Sequence, residues 1–292
     1  MEKFEYFWGK VADFWKRAPK GPLMVLILLF ATGIFADFLT FGHDPEIGDP
    51  RQRLLPPFWY DGGMTKYPLG TDTMGRDILT RLIYGSRVSL VVAFAAVLLS
   101  SVIGTILGIL AGYFGGWVDQ VVMRFTDSWL SIPTVMFGIL LAVIVGPGVF
   151  NIVIIMGLVF WTRYARVTRG ETLSLKTREF VQLAIVAGCS KFRIMRKHIL
   201  PNVLNNVITL ASMQIGVVVV VEATLTFLGV GVPPPKPAWG LMLSEGRGGL
   251  LAGYWWLVMF PGVAIAMLVM SFNLIGDWLR LYLDPHYRNI EA

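Results

Sequence analysis

The chain has 292 residues, of which 55% are hydrophobic and only 15% charged, with a mean hydropathy of +0.64. That balance excludes an ordinary soluble globular protein and places the chain in a bilayer. The formal charge of +6 gathers at the N-terminus and in one internal polar stretch, so it reports membrane topology and requires no nucleic-acid partner; Cys189, the only cysteine, rules out an intrachain disulfide.

Residues 1–20 place Phe4, Phe7, Trp8, Val11, Phe14 and Trp15 at helical spacing among Lys3, Lys10, Lys16, Arg17 and Lys20. The pattern reads as an interfacial amphipathic helix beneath the membrane, the alternative being a frayed tail. Leu23 to Leu39 forms a first span, and with no clean small-x-small cleavage site after it, it reads as an uncleaved anchor. Thr40 to Arg87 is polar and rich in Pro and Gly, and lies outside if residues 1–20 lie inside. Ser89 to Tyr113 is the second span, in which Gly104, Gly108 and Gly112 recur at every fourth position, a small-residue stripe that lets another helix approach closely. After Gly115-Gly116, Val118 to Val145 is a third span with an expected kink at Pro133. Arg124 and Asp127 near its inner end are spaced for a local ion pair. Gly146-Pro147-Gly148 turns the chain again, and Ile152 to Trp161 begins the fourth span.

Arg163 to Asn202 is the longest polar break in the second half, and its nine Lys and Arg place it in the cytoplasm. Within it, Thr177 is positioned to cap a short helix carrying Phe180, Val181, Ala184 and Ala187, which Gly188 ends. Ser190 starts a second short helix, with Phe192, Met195 and Ile199 on one face, and Pro201 with Asn202 marks the return to the membrane. Two short amphipathic helices joined at a glycine make a lever; the alternative is an ordinary loop whose charges set topology and touch anionic lipid.

Val203 to Leu228 is the fifth span. Glu222 interrupts its apolar run and must face the bundle interior or a watery path, either as a structural hydrogen-bonding group or as part of a pathway or gate. Asn205, Asn206, Met213 and Gln214 on the same helix are further pathway candidates, or interhelical glue. Pro233 to Gly240 reads as a stiff external loop of polyproline geometry. Trp255 to Leu279 is the sixth span, with Pro261 inside it and Asp277, Arg280 and Asp284 at its inner end. Six spans of roughly 20 residues put both termini inside, and on that topology 17 Lys and Arg lie inside against 8 outside. No Walker-type phosphate loop, H-E-x-x-H or G-x-S-x-G is present, and His43, His198 and His286 are far apart, so any work the chain does draws on a partner or an ion gradient.

Val181 to Pro201 resembles the cytoplasmic signature loop of ABC importer permeases, E-A-A, three residues, G, nine residues, I-x-L-P. Ala184, Gly188, Leu200 and Pro201 match it, while Gln182, Leu183 and His198 depart from it, which argues against any role needing a carboxylate at 182. Leu69-Gly-Thr-Asp-x-x-Gly-Arg-Asp77, then Arg81-Leu-Ile-Tyr-Gly-Ser-Arg-Val-Ser-Leu90, is similar to the segment before the second span in permeases of dipeptide and oligopeptide importers. So are Phe227-Leu-Gly-Val-Gly231 with its prolines, Phe260 to Ile265, and Phe272 to Pro285, so the resemblance covers the chain from about residue 20 onward.

The resemblance implies an all-α polytopic permease with six transmembrane helices and cytoplasmic termini. An anchor with its external segment (1–87) would precede a five-helix core (88–285), which holds the coupling loop 163–202, and a tail (286–292) would follow. It implies an ATPase-coupling role for Gln182, Ala184, Gly188, Ser190, Phe192, Arg193, Met195, Leu200 and Pro201, leaving Met213, Gln214 and Glu222 as pathway or gate candidates. The implied partners are a homologous second permease, two cytoplasmic ATPases and an external substrate-binding protein, in a prokaryotic plasma (inner) membrane. ATP and Mg would be held by the ATPases, with no cofactor in this chain. A di- or oligopeptide is the implied cargo, with nickel chelate, glutathione or oligosaccharide as alternatives. A gradient-driven secondary transporter would call for an inverted repeat, and none is evident; a membrane-embedded enzyme would need a nucleophile–base pair or metal cluster that the spans lack.

Overall fold

The computed structural model describes residues 18–40 and 43–283, so nearly all of the expected interfacial helix and the tail 286–292 lie outside the described residues. Regular structure within them is helical, and extended chain pairs only at an isolated bridge between Thr71 and Asp77.

The first apolar helix, α1 (Lys20–Ile34), stops at Phe35 and is followed by a short α2 (Ala36–Leu39), where one span from Leu23 to Leu39 was expected. The reason is visible at its end: the Arg87 guanidinium donates to the carbonyls of Gly33 (2.8 Å) and Ile34 (3.3 Å), taking over groups that a continuing helix would bond itself. Beyond a 3-10 turn at Pro50–Gln52, Asp77 accepts from the amides of Leu79 and Thr80 and so caps α3 (Ile78–Phe114), which begins well before the Ser89 expected. Next come α4 (Gly116–Leu130) and α5 (Thr134–Val145). The expected kink at Pro133 is in fact a 96° break between them, with Pro133 outside both helices, where its missing N–H is not needed.

Then follow α6 (Val149–Lys176), α7 (Glu179–Val186), α8 (Lys191–Ile194), a π-helical turn (Met195–Ile199) and α9 (Leu200–Phe227). Pro201, expected to mark the return to the membrane, occupies the first turn of α9, directly after the π turn, where its missing N–H is not needed. In the stretch read as an external loop, residues 234–235 form a turn, with a cis Pro234–Pro235 peptide. The last two residues of that stretch, Trp239 and Gly240, already belong to α10 (Trp239–Leu250), which forms despite four glycines because Trp239, Leu241 and Met242 are buried. The last helix, α11 (Trp256–Leu283), carries Pro261 within it.

Among the described residues, four helical runs are long and apolar enough to cross a membrane: Ile78–Phe114, Val149–Lys176, Lys191–Phe227 and Trp256–Tyr282; the bent α4–α5 pair makes a fifth if taken as one span. The core is built on α3 against α6, where the glycine stripe does what its spacing predicts. A Cβ at Gly104 would meet the Cβ of Tyr164 and the backbone of Trp161 and Ala165, one at Gly108 the Thr168 hydroxyl and Ala165 carbonyl, and one at Gly112 the Cβ of Thr172. Close backbone approach of this kind supplies the van der Waals attraction that holds helices together in lipid. Around that seam Val97, Ile155, Met156, Phe160, Val218, Leu225 and Phe272 close a single apolar cluster.

Candidate functional site

The polar loop after α6 folds as the two-helix lever its sequence suggests, with a few differences in detail. Thr177 does not cap α7: it ends α6, and its hydroxyl donates to the Ser174 carbonyl at 2.8 Å. Arg178 precedes α7 without a side-chain cap, and the Gln182 amide instead donates to the Lys176 carbonyl at 2.7 Å, tying the two helices. The far end of α7 closes as the glycine predicts. Gly188 sits at φ +76°, its N–H donates to Ile185 and that of Cys189 to Ala184, the paired bonds of a Schellman motif. Ser190 then caps α8 by accepting from the Arg193 amide at 3.3 Å.

Val181, Ala184, Ile194 and Ile199 are buried against Ile109, Tyr113, Tyr164 and Val203, so the lever has an apolar footing of its own on the ends of α3 and α6. Lys176 reinforces that footing by donating to the Tyr113 carbonyl at 2.8 Å. Phe192 does not share the buried face with Ile199: Ile194 takes that place, the π turn having shifted the register, and Phe192 stands 68% exposed. Leu183 and Val186 are likewise exposed, as are Gln182, Gly188, Ser190, Arg193 and Pro201, while Met195 and Leu200 are half-buried. The result is an apolar tip standing clear of the body on a packed base.

The pathway candidates are not brought together. Met213 packs against Gly276 of α11, and Gln214 is buried, accepting from the Arg163 guanidinium at 3.3 Å. Glu222, two turns further along α9, is 1% exposed; one carboxylate oxygen accepts from the Thr226 hydroxyl at 2.9 Å, and that hydroxyl accepts from the Val232 amide at 3.2 Å. Glu222 therefore sits in a network that fastens the turn after α9. Asp127 pairs with Arg166 of α6 at 2.6 Å, in place of the expected Arg124, and Asp119 pairs with Arg169 of the same helix.

At the opposite end of α3 lies a cluster that the sequence reading did not assemble. Asp72, Arg76, Arg81 and Glu245 form four ion pairs between 2.5 and 2.8 Å, with both arginines almost wholly buried. Three members belong to the quoted Leu69–Asp77 motif and its sequel. Glu245 is contributed by α10, most of which lies beyond the Pro233–Gly240 loop in a stretch to which no element was assigned from sequence.

A family of transport proteins has this chain's pattern: residues 104–289 match the model described as "binding-protein-dependent transport system inner membrane component". The chain belongs to that family. It is a multi-pass permease subunit of an ABC importer, and the family is one of membrane components that are not themselves enzymes. Among similar proteins, the dipeptide transport system permease protein DppC of Haemophilus influenzae is 40% identical over 93% of this chain and 92% of its own length. The di/tripeptide transport system permease protein DppC of Pseudomonas aeruginosa is 35% identical over 97% and 92%, and the glutathione transport system permease protein GsiD of Pectobacterium atrosepticum 35% over 95% and 91%.

Proposed function

We propose that this permease is one of two that together form the pathway of a peptide importer in a bacterial inner membrane, with six spans, cytoplasmic termini and the Gly188 lever in the cytoplasm. The observation that carries the coupling role is the exposed apolar tip of Leu183, Val186 and Phe192 on a buried base, within the stretch that matches the importer signature. A cytoplasmic ATPase covering that tip would remove its apolar surface from water, and the packed footing on α3 and α6 would carry its movement into the membrane-spanning helices as a rigid body. An external binding protein would deliver the cargo, which the relatives favour as a di- or tripeptide; the GsiD likeness makes glutathione, itself a tripeptide, the second reading.

The test is dipeptide uptake into vesicles holding this chain with its partner permease, ATPases and binding protein, comparing the parent with Gly188→Arg. The expected result is uptake that requires ATP hydrolysis by the separate subunits and is lost in Gly188→Arg, with membrane insertion retained. Uptake that survives the change and follows a proton or sodium gradient refutes the reading. Competition by glutathione at dipeptide-like concentration would move the cargo to the second reading.

A further inference from the structure

α6 carries four cations, and the fold satisfies three of them. Arg166 pairs with Asp127, Arg169 pairs with Asp119, and Lys176 donates to the Tyr113 carbonyl. Arg163 is the exception: it is exposed and forms no ion pair with any described residue. Its guanidinium lies 5.7 Å from the centre of the buried Phe160 ring and donates once, from Nη1 to Gln214 Oε1 at 3.3 Å. The rest of the guanidinium N–H groups have no partner among the described residues.

Gln214 does not supply the missing anion. It is 2% exposed, and while its Oε1 is taken by Arg163, its Nε2 has no hydrogen-bond partner among the described residues. A buried donor without an acceptor raises the free energy of the site, so both members of the pair are short of an acceptor. Depth sharpens the point. Arg163 stands near the middle of the 28-residue α6 and Gln214 near the middle of the 28-residue α9, each within a helical run long and apolar enough to cross a membrane. A cation at that depth is costly in lipid, so an exposed one belongs beside water or an anion.

We propose that Arg163 and Gln214 form a carboxylate site on the pathway, which receives the C-terminal carboxylate of the peptide cargo. The inference rests on the importer reading above. The side chains of a peptide vary but its terminal carboxylate does not, so a single guanidinium serves cargo of many sequences. Its planar fork matches the two carboxylate oxygens, and the neighbouring Gln214 Nε2 is a further donor. The same charge repels the N-terminal ammonium, so the peptide is held in one orientation. One cation that is open to water binds an anion weakly, which lets the cargo leave.

The test uses the complete transporter in nanodiscs, which open both faces to solutes, with Cys189→Ser as background and a reporter at Val167→Cys. Val167 is exposed and lies one turn from Arg163 on the same face of α6. The rate at which a membrane-impermeant thiol reagent modifies the reporter is followed without binding protein, in the presence of millimolar dialanine or dialanine amide. Dialanine is expected to slow the reaction several-fold and the amide to leave it unchanged. Arg163→Gln is expected to remove the protection, and Arg163→Lys to keep part of it. A reporter that reacts only after denaturation places this face in lipid or against the second permease and overturns the site. Absent protection, equal protection by peptide and amide, or protection that survives Arg163→Gln overturns it too. The comparison of peptide with amide needs no change at Arg163, so it decides even if Arg163→Gln fails to insert. ATP-driven dipeptide uptake is measured alongside in vesicles: uptake without carboxylate-dependent protection refutes the site alone, whereas uptake that follows an ion gradient without ATP refutes the importer reading as well.

Discussion

The two ends of α3 solve opposite problems with similar residues. At its start, four charged side chains turn inward and neutralise one another, leaving little for a partner to hold. At its end, the Gly188 lever turns Lys191, Arg193, Arg196 and Lys197 outward together with Phe192, Leu183 and Val186, and buries just enough apolar surface to stay folded. Charge is structural at one end and a surface property at the other. Substitutions at the start of α3 are therefore expected to act on stability, and those on the lever on coupling to a partner.

The largest effects separate the two ends most sharply. Gly188→Arg is expected to abolish uptake, whereas Gly188→Ala retains a measurable part of it. Both variants carry the strain of a side chain at φ +76°, about 1–2 kcal/mol, but a Cβ there meets nothing within 4 Å, so the remaining loss in the arginine variant comes from a partner that no longer seats. Arg81→Ala at the other end should lower unfolding stability by about 3–5 kcal/mol, read as a fall in melting temperature in detergent, because it leaves Arg76 alone to balance the two carboxylates of Asp72 and Glu245 in a largely buried site. Leu183→Asp is smaller and of the opposite kind: melting unchanged, peptide-dependent ATP hydrolysis down about tenfold, equivalent to ~1.4 kcal/mol of lost contact. If Leu183→Asp lowered melting while Arg81→Ala did not, the contrast between the two ends would be wrong.

What the sequence reveals follows the range of each interaction. The glycine stripe of α3, the glycine closing α7 and the Ser190 cap are legible because each depends on neighbours within a turn or on one repeated spacing. The bend at Pro133 is legible, but neither the full break between α4 and α5 nor its 96° angle is. Glu245 and its helix are not legible, since four glycines argue against a helix there and the arginines that need the carboxylate lie 164 and 169 residues earlier. The same blindness affects the charge count. Arg76 and Arg81, two of the eight residues counted on the outer side of the expected topology, are paired within the fold with Asp72 and Glu245, which a count of Lys and Arg alone does not show.

Gln182 gives the smallest effect and the finest test of the contrast. Its side chain is exposed, and its single bond inside the lever, to the Lys176 carbonyl at 2.7 Å, competes with water. Gln182→Ala should therefore cost no more than about 0.5–1 kcal/mol of stability and leave uptake within roughly twofold of the parent. That carbonyl belongs to the last residue of α6, where water can replace the lost donor, unlike the buried partners of Arg81. A loss of uptake much larger than the loss of stability would mean that the Gln182 bond fixes the angle between α6 and α7 during the stroke, and would extend the coupling surface from the apolar tip down to the hinge of the lever.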